Sequence, residues 1–214
     1  MGGHPTKYAR VSKATDEIYD VCDKDMIFYY INLVHRQDRA IEFQNEMHVL
    51  AIEPHQVLAS VDPRGGFMGC TTSHLRALQM GLASGHRYVG VFEDDFMLVT
   101  KKDVKQLINQ FWHKFPKANV LMLQLNPIST SRAPGMIGVQ RVNQALSTAG
   151  YIVARDYIAT MIASLKLSLF HQRPCDVGFC ALQKRHNWYT FHPPVGKQRP
   201  SFSDIEQRHV NYGV

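Results

Sequence analysis

RYVGVFEDDFML, residues 87–98, carries five mostly apolar residues straight into three consecutive carboxylates and then turns apolar again. The run YVGVF reads as a buried β-strand. Carboxylates repel one another and lose hydration when buried, so Glu93, Asp94 and Asp95 at such a strand end are hard to explain by packing. A single Asp here is most simply a helix cap, or a partner for Lys101 and Lys102. Three in a row favour a hard divalent cation, which takes oxygen ligands, keeps several waters and shares its shell with phosphates. Residues two apart project to the same side of an extended chain, so Glu93 and Asp95 are expected to act together while Asp94 points elsewhere.

The flanking sequence alternates strand and helix signals. DMIFYYINL (25–33) reads as a strand, and Ala40, Phe43, Met47 and Leu50 recur at helical spacing. QVLASV (56–61) is a second strand, closed by DPRGG. Thr72 to Ser84 reads as a helix with Thr or Ser at its N-cap, a Leu75, Leu78 and Leu82 stripe, and Gly85 as its stop. After the YVGVF strand come a helix marked by Val104, Leu107, Ile108, Phe111 and Phe115, and the strand NVLMLQL (119–125). A Ser-, Pro- and Gly-rich loop follows over 126–138, long enough to be functional. TAGYIVA (148–154), a helix over Asp156–Leu169, a short helix from about Cys175 to Lys184 and the strand WYTFH lead to a Pro-rich tail at 193–200. Strict alternation of this kind predicts an α/β fold with a mainly parallel sheet, whose ligands sit outside the carboxyl ends of the strands. Residues 1–24 read as a polar N-terminal arm and 25–214 as one domain.

Bulk properties narrow the function. The 214-residue chain is 45% hydrophobic and 20% charged, a globular composition, and no apolar run approaches the roughly 20 residues that span a bilayer. No secretory signal stands in the first thirty residues, and the four cysteines form no CxxC pair. Free or buried thiols in a reducing, cytoplasmic setting are the expectation. The eleven histidines show no HExxH or paired Cys/His spacing. MGGHPT fits the loose pattern for myristoylation at Gly2, a pattern that recurs by chance. A net charge of +6 suits an anionic partner. The basic residues are dispersed, with no nucleic-acid module, so a phosphorylated small molecule is expected rather than nucleic acid.

Two further constellations sit at predicted strand or helix ends. GCTTSH (69–74) opens the predicted second helix, where unpaired N–H groups receive anions, with Ser73 and His74 beside them. The alternative is that Ser73 caps the helix and His74 packs. INLVHRQDR places Arg36 and Arg39 just after a strand end, where arginines grip a diphosphate. Equally, Arg39 pairs with Asp38 or Glu42 on a solvated face.

Taken in order, these pieces resemble family-25 glycosyltransferases, the group of bacterial lipopolysaccharide glycosyltransferases and collagen galactosyltransferases. The I-N-L-x-x-R-x-D-R motif is matched by Ile31, Asn32, Leu33, Arg36, Asp38 and Arg39. A strand ending near A-V-D resembles Ala59 to Asp62, G-C-x-x-S-H matches Gly69, Cys70, Ser73 and His74, and E-D-D matches Glu93 to Asp95. Gly150, Pro174 with Asp176, Gln198, and Ser203 with Asp204 resemble the later motifs, so the likeness spans roughly residues 26 to 206. Thr71 and Thr72 depart from the small or aliphatic residues usual inside the third motif.

The resemblance implies a single-domain GT-A (Rossmann-like) fold that binds a UDP-sugar donor and Mn²⁺ or Mg²⁺. It makes Glu93 and Asp95 the metal ligands, with His192 as a third. Asn32, Leu33, Arg36, Arg39, Asp62, Ser73, His74, Asp94 and Gln198 become donor-pocket residues. Inverting transfer of galactose or glucose to a glycan or glycoprotein hydroxyl needs a base, for which Asp176 is the candidate, its alternative being a helix N-cap. The Pro-rich tail and the 126–138 segment are expected to close over the donor. Two rivals remain: a metal-dependent phosphohydrolase or nuclease using the same triplet, and a non-catalytic sugar-nucleotide-binding module.

Overall fold

The computed structural model describes residues 24–101, 103–203 and 208–211; the proposed arm 1–24 (apart from Lys24), Gly2 and Asp204 lie outside them. Among the described residues the central element is an eight-stranded sheet, in the order β2-β1-β3-β8-β5-β9-β7-β6. Its strands are β1 (Met26–Asn32), β2 (His55–Leu58), β3 (Tyr88–Glu93), β5 (Val120–Met122), β6 (Asn126–Arg132), β7 (Val139–Leu146), β8 (Gly150–Ala154) and β9 (Trp188–Phe191). β1 pairs in parallel with β2 and β3, and β5 with β9. β8 and β7 run against their neighbours, so six of the eight strands point one way. The fold is α/β with a mainly parallel sheet, as expected.

Strand β1 shows why the sheet forms. Phe28 and Tyr30 enter one apolar cluster, and Tyr29 and Ile31 the other. A strand buried on both faces reads as a continuous apolar run rather than an alternating one. Helices α1 (Gln37–His48) and α3 (Val104–Lys114) supply Phe43, Met47, Ile108 and Phe111 to the first cluster. Helices α2 (Gly66–Ser84), α4 (Arg155–Phe170) and α5 (Cys175–Arg185) supply Leu78, Ile158, Met161 and Phe179 to the second. The β1-α1-β2 and β2-α2-β3 connections thus cover opposite faces, and the strand order reverses at β1. Such a reversal opens a crevice at the carboxyl edge.

Two expectations are corrected. The second helix starts at Gly66, not Thr72. The Thr71, Thr72 and Ser73 hydroxyls bond back to the carbonyls of Phe67, Met68 and Gly69, at 2.8, 2.9 and 2.7 Å. That four-residue back-bonding lets hydroxyl residues sit inside a helix instead of capping it. GCTTSH therefore lies inside the helix, not at an anion-receptive N-terminus.

Residues 126–138 are not a loop over the donor. Residues Asn126–Arg132 are strand β6, paired with β7 at the sheet edge farthest from β2. The strand is mostly exposed and polar, and it carries Pro127, which an edge tolerates. In β7 the buried Val139, Val142 and Ala145 recur every third residue, so no two-residue alternation announces a strand.

Three short strands bring the chain end back to the carboxylates. β10 (Gly196–Gln198) pairs with β4 (Phe96–Leu98), setting Gln198 opposite Phe96. β11 (Ser201–Ser203) pairs with β12 (Arg208–Val210). No helix among the described residues is long and apolar enough to cross a membrane.

Candidate functional site

A cleft of about 350 Å³ opens at the carboxyl ends of β1, β2 and β3. Its lining includes Asn32, Leu33, Arg39, Asp62, Ser73, Glu93, Asp94, Asp95 and Gln198, which the sequence nominated. Arg36, His74, Asp176 and His192 do not line it.

The three carboxylates have three different lives. Asp94 is structural. Its Oδ1 accepts from Arg39 Nη1 at 2.9 Å and its Oδ2 from Asn32 Nδ2 at 2.8 Å, both buried. Burial pushes the Asp94 carboxyl up, against the opposing pull of Arg39 and Asn32. Glu93 is held by its Oε1, which accepts from Thr148 Oγ1 at 2.7 Å and lies 3.3 Å from His74 Nε2. Burial raises Glu93, but His74 and Thr148 outweigh it and leave the carboxyl below its usual range. Burial likewise opposes charge on His74, and Glu93 overcomes it, raising the imidazole.

Asp95 has no such partner. Among the described residues its Oδ1 is buried with no hydrogen bond, and Oδ2 meets only Gln198 Nε2 at 3.4 Å. Burial, then the charges of Glu93 and Asp94, push its carboxyl up to about 7. A buried carboxylate oxygen without a donor fits a cation that the donor set itself would hold.

The second helix places its motif residues for packing and support. A Cβ on Gly69 would stand 2.2 Å from the Ser60 carbonyl oxygen, so only glycine lets α2 approach the segment after β2 this closely. Ser73 Oγ then accepts from the Ser60 N–H at 2.8 Å, tying that segment to the helix. His74 is fully buried between Tyr151, whose hydroxyl is 3.1 Å from Nδ1, and Glu93. Ser73 reaches the cleft while His74 supports it from behind. The thiol of Cys175, on α5, is drawn down to about 7 by the Cys70 thiol facing it, against its burial.

The arginines divide unexpectedly. Arg39 is buried on Asp94, and its Nη2 also donates to Ser201 Oγ and to the Phe202 carbonyl at 2.6 Å each, holding β11. Arg36 pairs with Asp38 at 2.9 Å and reaches the Phe202 carbonyl at 3.4 Å, rather than entering the cleft. Asp62 lies in the cleft lining in a two-point pair with Arg64, which holds its carboxyl down to about 2. Lys101 pairs with Glu46 at 3.5 Å, not with the triplet.

Asp176 is the second residue of α5. Its Oδ2 accepts from the Ser147 N–H at 3.1 Å and its Oδ1 from the Val177 N–H at 2.7 Å. The helix cap itself is Pro174, without a side-chain bond, so Asp176 is not the N-cap. Ser147, at φ 81°, bonds Gln124 and lies 3.4 Å from Gln198, which links Asp176 to the cleft in two steps. His192 is exposed at the end of β9, its N–H bound to the Gly138 carbonyl at 2.7 Å, so the structure does not bring it to Glu93 and Asp95. Sequence reasoning missed Ser147, Thr148, Gln124, Tyr151 and Arg64. The one legible signal was the Ser147-Thr148 pair, one residue ahead of the apolar strand β8.

No protein-family model matches the chain, and no curated protein matches it in sequence. In fold it resembles A197 from STIV, with a TM-score of 0.50 at 15% identity over 78% of this chain and 81% of that one. UDP-glucose pyrophosphorylase complexed with UDP-glucose superposes at 0.48, 9% identical, over 81% of this chain and 74% of that one. A glycosyltransferase involved in the glycosylation of the major capsid of PBCV-1 superposes at 0.42, 9% identical, over 67% and 66%. What A197 shares with this chain is the fold, an α/β architecture around a mainly parallel sheet.

Proposed function

We propose that this chain is a glycosyltransferase that moves a hexose, galactose or glucose, from a UDP-sugar to a hydroxyl of a glycan or glycoprotein, with inversion. The observation that carries the reading is Asp95: a buried carboxylate oxygen without a donor, in a cleft at the carboxyl edge, beside Glu93. The motif order resembling family-25 enzymes supports it, as does a cleft large enough for part of a nucleotide. The glycosyltransferase and the UDP-glucose enzyme among the structures of related shape agree with it without carrying it.

Mn²⁺ or Mg²⁺ would be held by Asp95 and Glu93, and when bound supplies positive charge against a departing diphosphate. The chain's own residues do the rest. Asn32 and Arg39 fix Asp94, and with it the turn on which Asp95 stands. Gln198 donates to the Asp95 carboxylate and the Arg199 N–H bonds the Asp95 main-chain carbonyl at 2.6 Å, which ties β10 to the turn that carries the carboxylate. The motif resemblance assigns the acceptor proton to Asp176, whose carboxylate is linked to the cleft through Ser147 and Gln198 rather than lining it. A phosphohydrolase using two ions needs more free carboxylates than this cleft lining offers, since Asp62 and Asp94 each carry an arginine.

Calorimetric titration of UDP with and without Mn²⁺ tests the reading. Wild type is expected to bind UDP only with the ion, and Asp95→Asn to lose that binding while keeping its fold. UDP binding that ignores both Mn²⁺ and this substitution overturns it. Asp176→Asn is expected to retain donor binding and lose transfer by about 10²–10⁴-fold. Transfer at near wild-type rate by that variant removes Asp176 as the base. A screen of UDP-sugars scored by UDP release identifies the donor.

A further inference from the structure

Behind the cleft, three soft or borderline donors converge from two helices. Cys70 and His74 stand four residues apart on α2, hence on one face, and Cys175 opens α5. One donor atom from each lies within 4.8 Å of the others. His74 is fully buried and Cys175 is 3% exposed, while Cys70 reaches the cleft wall.

We propose that Cys70, His74 and Cys175 form a second metal site, for a thiophilic divalent cation of the zinc type, distinct from the oxygen-ligand site at Asp95.

The chemistry of the donors separates the two sites. Thiolate and imidazole select zinc-like ions, whereas carboxylates and water select Mn²⁺ and Mg²⁺. Tetrahedral zinc with sulfur at about 2.3 Å and nitrogen at about 2.0 Å sets its donors roughly 3.5–3.8 Å apart. The observed cluster, within 4.8 Å, needs to contract by about 1.3 Å at most to meet that. Two protein sulfurs and one imidazole leave a fourth position for water or another small donor, a set known for zinc.

The surroundings supply what ligands of such an ion require. A metal-bound histidine places a carboxylate behind its other nitrogen, which fixes the ring and raises its basicity. Glu93 Oε1 stands 3.3 Å from His74 Nε2, held in turn by Thr148, which leaves Nδ1 for the ion; the Tyr151 hydroxyl, 3.1 Å from Nδ1, gives way on uptake. Thr148 Oγ1 also lies 3.8 Å from the Cys175 sulfur. Buried thiols on their own are ordinary core residues. Packing does not call for two of them to meet an imidazole braced by a carboxylate. On uptake each thiol gives its proton to solvent, and the ion bridges α2 to α5 directly behind Glu93.

The experiment uses the full chain, reduced and stripped by a chelator, titrated with Co²⁺ as a coloured stand-in for zinc. Its readout is independent of sugar transfer. The expected result is one tetrahedral, thiolate-bound Co²⁺ per chain, with intense visible bands and a near-ultraviolet thiolate charge-transfer band, both erased by added Zn²⁺; cobalt at the Asp95 site adds only weak octahedral bands. Cys70→Ser and Cys175→Ser each weaken cobalt binding by more than about tenfold. Asp95→Asn leaves the spectrum unchanged. X-ray absorption on zinc-loaded wild type counts two sulfur neighbours, a result that does not depend on the variants folding. A pale octahedral spectrum alone, without thiolate bands and lost in Asp95→Asn, overturns the proposal. So does a reduced chain that binds no cobalt while air oxidation links Cys70 to Cys175.

Discussion

At the scale of single residues, the triplet shows how three carboxylates part company once their neighbours differ. Asp94 is paired with a buried guanidinium, and removing one member of such a pair strands the other charge. Asp94→Ala is expected to destabilise the fold by about 3–5 kcal/mol, a fall on the order of ten degrees in Tm. The double replacement Arg39→Met with Asp94→Leu recovers most of that loss, because no charge is then left buried. Thermal unfolding of the single and double variants checks both; a single variant as stable as wild type contradicts the pairing. The sequence made the cluster visible as a whole, and the two-residue period singled out Asp94 as the one facing away. It gave no sign that Arg39, 55 positions earlier, turns inward to meet it. Local pairing with Asp38 was the nearer option, and Arg36 took it.

Among the elements, α2 decides the shape of the cleft. Its contact with the segment after β2 depends on the missing side chain at Gly69. Gly69→Ala forces a Cβ against the Ser60 carbonyl, and helix and segment must part. The expected outcome is a loss of about 1–3 kcal/mol in stability together with weaker Mn²⁺-dependent UDP binding. Denaturant titration and calorimetry read the two effects, and unchanged values in both would contradict the close approach. Most strands and helices were legible because apolar periodicity survives in a bare sequence. The misreadings have a common physical source. Hydroxyl residues look like caps whether they start a helix or bond back inside one, so α2 was begun six residues late. An edge strand without a buried face, such as β6, looks like a loop. Cys70, His74 and Cys175 were visible singly, but only the packing of α5 on α2 shows that they meet.

For the molecule as a whole, the unsatisfied carboxylate at the cleft ties stability to pH. Asp95 holds its proton up to about 7 in the folded, ion-free chain, against 3.8 when unfolded. Below the unfolded value both states are protonated and the group costs nothing. As pH rises toward 7 the unfolded state ionises first, so the folded state loses stability, by a few kcal/mol once both are charged. Urea denaturation of the ion-free protein is expected to show lower stability at about pH 8 than at about pH 5. Asp95→Asn removes most of that difference, and Mn²⁺ offsets it in wild type. A pH-independent midpoint for the ion-free wild type contradicts this account.

Gln198 and Arg199, which bond the Asp95 carboxylate and its main-chain carbonyl, are made more than a hundred residues after it. On the ribosome the carboxylate turn therefore emerges long before its partners exist. Until they are made, the triplet lacks two of the groups that meet it in the folded chain, Thr148 at Glu93 and Gln198 at Asp95. A chain cut short before Gly196 therefore leaves β4 without its partner strand, and the turn at Asp95 reaches its native surroundings only when the last strands are in place.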